Sequence, residues 1–232
     1  MTAASHEIPF AVDWGVRALL TTRAAGSFST AGDEGVGQVM GRWSLLRAEL
    51  GVPGERFVTA SQVHGVGILE YPPGWRGWLR GDAADGHLMM ERGMSGAVTV
   101  ADCVPVFVAH PSGVGALLHA GWRGTAGGIL PACIRRMAEL GLAARELRVH
   151  LGPAICGRCY EVGPDVASLL TGVQLSDPVR VDLRAVLADQ AHALGARSVS
   201  TSPECTRCHN HLFFSHRAGD MGRQLGVLAT AS

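Results

Sequence analysis

Residues 98–124 read Val98-Thr99-Val100-Ala101-Asp102-Cys103-Val104-Pro105-Val106-Phe107-Val108-Ala109-His110-Pro111-Ser112-Gly113-Val114-Gly115-Ala116-Leu117-Leu118-His119-Ala120-Gly121-Trp122-Arg123-Gly124. Short apolar runs bounded by glycine, proline and polar residues read as strands. His110-Pro111-Ser112-Gly113 is rich in turn formers, so Val98–Cys103 and Val114–His119 are expected to be the arms of an antiparallel hairpin. Pairing them about that turn sets Cys103 opposite His119 or Ala120, with Cβ atoms roughly 4.5–5.5 Å apart. A register slip of one residue would send the thiol and the imidazole to opposite faces.

Working outward, Arg17–Thr22, Val58–Ala60, Gly67–Tyr71, Ala97–Ala101, Val104–Ala109, Arg148–Leu151 and the region of Val199 read as further strands. Gly32–Gly41 is glycine-rich and is expected to be a surface loop before an amphipathic segment at Trp43–Leu50. Ile129, Leu130, Cys133, Ile134, Met137 and Leu140 recur at helical spacing, with Gly141 as the stop. Pro164–Leu170 and Asp182–Leu194 read as helices, the second capped by Asp182 and closed by Gly195. A last helix is expected from about Met221 to Leu228. The order is mixed α/β without regular βαβ alternation.

Composition removes several functions. The 232 residues carry 20 basic and 20 acidic side chains, and every basic one is arginine. Without lysine there is no Schiff-base catalysis, no pyridoxal phosphate attachment and no P-loop lysine. Zero formal net charge without a basic run argues against nucleic acid or anionic membrane as the partner, which leaves small molecules. No apolar run approaches the ~20 residues of a membrane span, and residues 1–15 lack a basic signal-like region, so the expected location is cytoplasmic.

His64, in Gln62-Val63-His64-Gly65, is a third donor to set beside Cys103 and His119. His/Cys/His plus a water is the open tetrahedral set expected of catalytic zinc. Gly121 and Gly124 allow close backbone approach to a ligand, and Arg123 offers a planar fork for an anion; a tight turn with a solvated arginine is the plainer reading. Cys156-Gly157-Arg158-Cys159 and Cys205-Thr206-Arg207-Cys208 form a CxxC…CxxC pattern with a longer separation than the usual zinc-knuckle pair.

Thr21-Thr22-Arg23, Ser61-Gln62-Val63-His64-Gly65, Ala101-Asp102-Cys103-Val104-Pro105-Val106, His119-Ala120-Gly121-Trp122-Arg123-Gly124, Leu151-Gly152-Pro153-Ala154-Ile155, Cys159-Tyr160-Glu161-Val162-Gly163 and Cys205-Thr206-Arg207-Cys208 through Phe213-Phe214-Ser215-His216-Arg217 closely resemble successive blocks of the bacterial laccase-domain family. Members are described as multicopper polyphenol oxidases, purine nucleoside phosphorylases or peptidoglycan editing factors. The resemblance implies a single compact α/β domain of layered mixed sheets flanked by helices, over residues 17–232 after an extension at 1–16. It implies a zinc ion on His64, Cys103 and His119, with copper as the other candidate. The implied reactions are phosphorolysis of adenosine, inosine, guanosine and methylthioadenosine, and deamination of adenosine.

Within that resemblance, Asp102 and Arg123 are expected to be catalytic, and Arg23, Gln62 and Arg217 to bind substrate or phosphate. Asp102 is expected either to exchange a proton with the base or to orient His64 or His119. A copper oxidase, which needs several histidine-rich sites, and a peptidoglycan-precursor editing or binding protein are the alternatives. The resemblance implies that Cys159, Cys205 and Cys208 are shared by the family whereas position 156 is usually a small residue, so a four-cysteine zinc site would be peculiar to this chain and is a minor reading. This chain also lacks the family's Ser-Leu-Asn-Leu segment near Ala24–Gly32, and it has His216 for a tyrosine and Ala218 for an arginine.

Overall fold

The computed structural model describes residues 4–50 and 56–231. The strands, in chain order, are β1 (Ser5–Ile8), β2 (Val16–Thr21), β3 (Arg56–Ala60), β4 (Ile68–Glu70), β5 (Gly77–Gly81), β6 (Gly86–Met89), β7 (Ser95–Val100), β8 (Val104–Ala109), β9 (Gly115–Ala120), β10 (Arg148–Leu151), β11 (Glu161–Val162), β12 (Val179–Arg180), β13 (Ser198–Thr201) and β14 (Gln224–Thr230). The helices are α1 (Val36–Glu49), α2 (Trp122–Gly127), α3 (Ile129–Glu139), α4 (Pro164–Thr171) and α5 (Leu183–Ala193).

Two mixed six-stranded sheets carry the fold, ordered β1-β2-β14-β7-β3-β5 and β13-β10-β8-β9-β6-β4. Strand periodicity divides their side chains into layers. Val106, Val108 and Leu118 face α3 and α5, whereas Phe107 and Leu117 face the first sheet and meet Val98, Val100 and Leu228. Leu19, Leu225 and Val227, on that sheet's outer face, pack against Val39, Trp43 and Leu46 of α1. The result is an α/β/β/α sandwich. Asp182 caps α5 as expected, its carboxylate accepting from the Arg184 amide. Residues 5–16, read as an extension, supply the edge strand β1, paired antiparallel to β2.

Several sequence expectations are corrected. Val98–Val100 belongs to β7 in the first sheet, so the hairpin arms are Val104–Ala109 and Gly115–Ala120, with Pro105 opposite His119. Cys103 therefore lies just before the ladder. Its sulfur nevertheless comes within 4.8 Å of a His119 ring nitrogen, brought there by the bend that leads into β8. The expected loop at Gly32–Gly41 is partly helix, since α1 begins at Val36 and absorbs Gly37 and Gly41. The expected C-terminal helix is β14, wholly buried between β2 and β7, where both faces are apolar and no period of two is visible.

The chain passes from the first sheet to the second three times, at β3→β4, β5→β6 and β7→β8. Because β3, β5 and β7 are parallel, all three passages lie at one end of the sandwich. The three non-glycine residues with positive φ among the described residues are His64 (59°), Ala83 (49°) and Asp102 (79°), one in each passage.

The sheets approach closely at Gly226, where a Cβ would stand 2.8 Å from Pro105 Cβ. Gly226→Ala is expected to destabilise the fold by about 1–3 kcal/mol. Thermal unfolding should show a Tm lower by roughly 2–10 °C; an unchanged Tm would mean that the sheets separate freely here.

Candidate active site

The end with the three passages gathers a His/Cys/His group. His64 sits in the first passage, Cys103 in the third, and His119 near the end of β9, which runs antiparallel to β8 and so finishes at the same place. One donor atom from each lies within 4.8 Å of the others, and the imidazoles meet edge to face at a centroid distance of 4.8 Å. His119 is buried, Cys103 half-buried and His64 exposed, so the group opens to solvent on one side. A Cβ at Gly121 would stand 3.0 Å from Cys103 Sγ and 3.2 Å from His64 Cδ2, so this glycine keeps the space clear. A thiolate and two imidazoles around such a space suit zinc.

Asp85, in the second passage, ties the parts together. Its fully buried carboxylate accepts from His119 Nδ1 at 2.8 Å, and from the backbone amides of His64 (2.9 Å), Gly65 (2.7 Å) and Val63 (3.2 Å). Burial works against its charge, yet the His119 hydrogen bond and the amides hold its pKa below the usual carboxylate range. Nδ1 being engaged, Nε2 of His119 is left for a metal. Burial pushes the Cys103 thiol up, but the charge of His119 and hydrogen bonds from both histidines outweigh it and bring it down to about 6. Burial pulls His119 the other way; Cys103 and Asp85 prevail and raise it to about 9.

A cleft of about 760 Å³ runs from this group across the outer face of the first sheet. Thr59, Ala97 and Thr99 form its floor, Met40, Trp43, Trp78 and Phe28 its apolar walls, and Arg80, Arg223 and His216 its polar rim. Trp78 Nε1 donates to Thr59 Oγ1 at 2.8 Å and Trp43 Nε1 to the Phe28 carbonyl at 3.1 Å, which fixes both rings. Ser29, Thr30 and Ala31 also line it. The stretch that departs from the family pattern therefore touches the cleft, as does His216.

The other expected residues are dispersed. Gln62 lines the cleft with its amide held by Thr99, donating to the carbonyl and accepting from the amide and hydroxyl. Arg23 lies outside the cleft and binds Asp220 (2.5 Å), the carbonyls of Asn210 and Phe213, and the Phe214 ring. Asp102 touches neither imidazole by hydrogen bond: its oxygens accept from Thr206 Oγ1 (2.6 Å) and the Arg217 amide (2.7 Å). The expectation that it orients a histidine is thus met by Asp85 instead. Arg217 lies over Tyr160 and donates to the Glu161 carbonyl, and the exposed Arg123, on α2, stacks on Trp122. Asp85, Arg80 and Arg223 escaped the sequence reading, since a lone acid after Ala83-Ala84 and scattered arginines carry no motif.

A cleft that joins an aromatic wall to a His/Cys/His group, within an α/β/β/α sandwich, has the form of a small-molecule site. The chain belongs to the family described as multi-copper polyphenol oxidoreductase laccase, which it matches over residues 25–231. It is 37% identical to a purine nucleoside phosphorylase of Streptomyces coelicolor over 83% of this chain and 82% of that protein. It is 36% identical to the purine nucleoside phosphorylase YlmD of Geobacillus stearothermophilus over 77% and 74% of the two chains. The crystal structure of that YlmD superposes with a TM-score of 0.87 at 30% identity, covering 97% of this chain and 94% of the other. No helix among the described residues is long and apolar enough to cross a membrane.

Zinc uptake by metal-free protein should track these acidities. At about pH 7.5 Cys103 is already a thiolate and His119 still a cation, so uptake releases about one proton, from His119. Affinity then rises with pH until about 9 and falls below it as the proton competes. Calorimetry in buffers of different ionisation enthalpy measures the release; two protons would place one on Cys103. Asp85→Asn should weaken zinc binding about 10–100-fold in a chelator competition.

Proposed function

We propose that this chain is a zinc-dependent purine nucleoside phosphorylase that also deaminates adenosine. The observation that carries the reading is the continuity of the aromatic cleft with the His64–Cys103–His119 group. The names of its relatives agree with it. His64, Cys103 and His119 would hold the ion, which supplies Lewis-acid charge at the end of the cleft when bound.

The chain's own residues divide the remaining work. Trp78, Met40 and Phe28 cover the flat faces of a purine, an apolar surface that excludes water from the base. Arg80 and Arg223 share the cleft with Cys103 and are placed to orient phosphate toward the sugar C1′. His216, on the rim, hands a proton to the departing purine as negative charge builds on it. Gln62 and Asp102 act as supports: Gln62 fixes the floor at Thr99, and Asp102 anchors Thr206 and Arg217 beside Cys103. Deamination requires the same purine turned so that C6 faces the His64–Cys103–His119 end. Polyphenol oxidation fits less well, because among the described residues only one of the two clusters of metal-ligating side chains contains histidine.

Protein of known zinc content, incubated with adenosine, inosine, guanosine and methylthioadenosine with and without phosphate, should release free base only with phosphate. Inosine should form from adenosine without it. Cys103→Ala abolishes both. Arg80→Ala or Arg223→Ala should raise the phosphate KM; if Arg123→Ala does so instead, the anion lies on the Tyr160 side. His216→Ala should lower kcat about 10²–10⁴-fold, and His216→Tyr should restore part of it. No product from any nucleoside by folded, zinc-loaded protein overturns the reading and turns attention to peptidoglycan precursors.

A further inference from the structure

Away from the cleft, the two CxxC segments meet. Cys156 and Cys159 lie in the loop after β10, and Cys205 and Cys208 in the loop after β13. The resemblance argued against such a site, yet all four sulfurs lie within 4.8 Å of one another. None is in a disulfide; the sulfurs of Cys159 and Cys208 are 3.4 Å apart, against about 2.05 Å for a bonded pair.

The backbone around the sulfurs is organised for thiolates. The amides of Cys156 and Cys208 donate to Cys205 Sγ at 3.3 and 3.4 Å. Each CxxC closes as a turn, with Cys159 N donating to the Cys156 carbonyl and His209 N to the Cys205 carbonyl. The two turns are locked side by side by the Ala154–Cys205 bridge and by the Thr206 amide on the Ala154 carbonyl. Four zinc–sulfur bonds of about 2.3 Å set sulfurs roughly 3.8 Å apart in a tetrahedron, so this group needs only a small contraction to close on an ion. Arg158 and Arg207, each inside a CxxC, offer charge to offset a tetrathiolate.

We propose that Cys156, Cys159, Cys205 and Cys208 form a second, structural zinc site. Uptake releases the thiol protons to solvent and involves no change of oxidation state. All four ligands come from the chain, so no position is open for substrate. The ion would clamp the loop after β10 to the segment that carries Thr206, His216 and Arg217. Two of those residues hold Asp102, next to Cys103. The site therefore braces one side of the active centre from outside it, and it does not rest on any assignment of the reaction.

Zinc per chain, measured on full-length protein purified under reducing conditions, should be about two for the wild type and about one for Cys103→Ala. Cys208→Ser, a change at an exposed position, should lose one zinc and lower Tm while keeping the zinc held with Cys103. Cobalt added to metal-free Cys103→Ala should give the intense sulfur-to-cobalt charge-transfer and visible bands of a tetrathiolate site. That titration leaves the four cysteines unchanged, so it decides the matter even if the serine variant fails to fold. A colourless titration, zinc content unaffected by Cys208→Ser, or a Cys159–Cys208 disulfide that persists under reductant each overturns the proposal.

Discussion

Asp85 is a fully buried carboxylate with four donors directed at it, three of them amides from the β3→β4 passage and one the ring of His119. A buried charge of this kind is tolerable only while its partners stay in place, and losing one strands it at a cost of about 3–5 kcal/mol. The positions of His64 and His119 are therefore not independent. Whatever holds the carboxylate in the β5→β6 passage also fixes the spacing of two imidazoles that arrive from distant parts of the sequence.

That dependence extends to the backbone. His64, Ala83 and Asp102 occupy the left-handed region at the three points where the chain leaves one sheet for the other. Such conformations cost on the order of 1–3 kcal/mol for residues other than glycine, and they persist where the surroundings over-determine them. Here the surroundings are visible: Asp85 receives the His64 amide, and the Asp102 side chain receives Thr206 and Arg217. Parallel strands bring the three turns to one end, so the local strain and the reactive side chains gather in one place. The ordinary packing of Phe107, Leu117 and Leu228 between the sheets lies behind them.

Much of this was legible in the sequence wherever a local pattern carried it. The turn at His110–Gly113 gave away β8 and β9, the spacing from Ile129 to Met137 revealed α3, and Asp182 announced α5. The grouping of His64, Cys103 and His119 was visible from the hairpin and the Gln62–Gly65 segment, and again from the family likeness, although the hairpin's first arm was drawn from the wrong strand. β14 escaped, because it shows no alternation, no turn signal pairs it with a neighbour, and its glycine at 226 is explained only by the other sheet. Asp85 was invisible since its role depends on who surrounds it. The cleft was equally hidden: its walls come from α1, β3, β5, β7 and the approach to β14, and no linear window contains them. The two CxxC pairs were visible as motifs, but only the adjacency of the loops after β10 and β13 shows that they converge.

The cleft has two kinds of wall. At one end its residues are fixed by passages between sheets, where each side chain answers to a buried carboxylate and a constrained backbone. At the other, Ser29, Thr30 and Ala31 come from a connecting segment that no strand ladder governs, in a stretch where this chain already departs from its relatives. Insertions and substitutions there are absorbed far more easily than changes at strand ends. The fold thus sets an end of the cleft where the sequence can change at little cost against an end where almost any change is felt by both sheets.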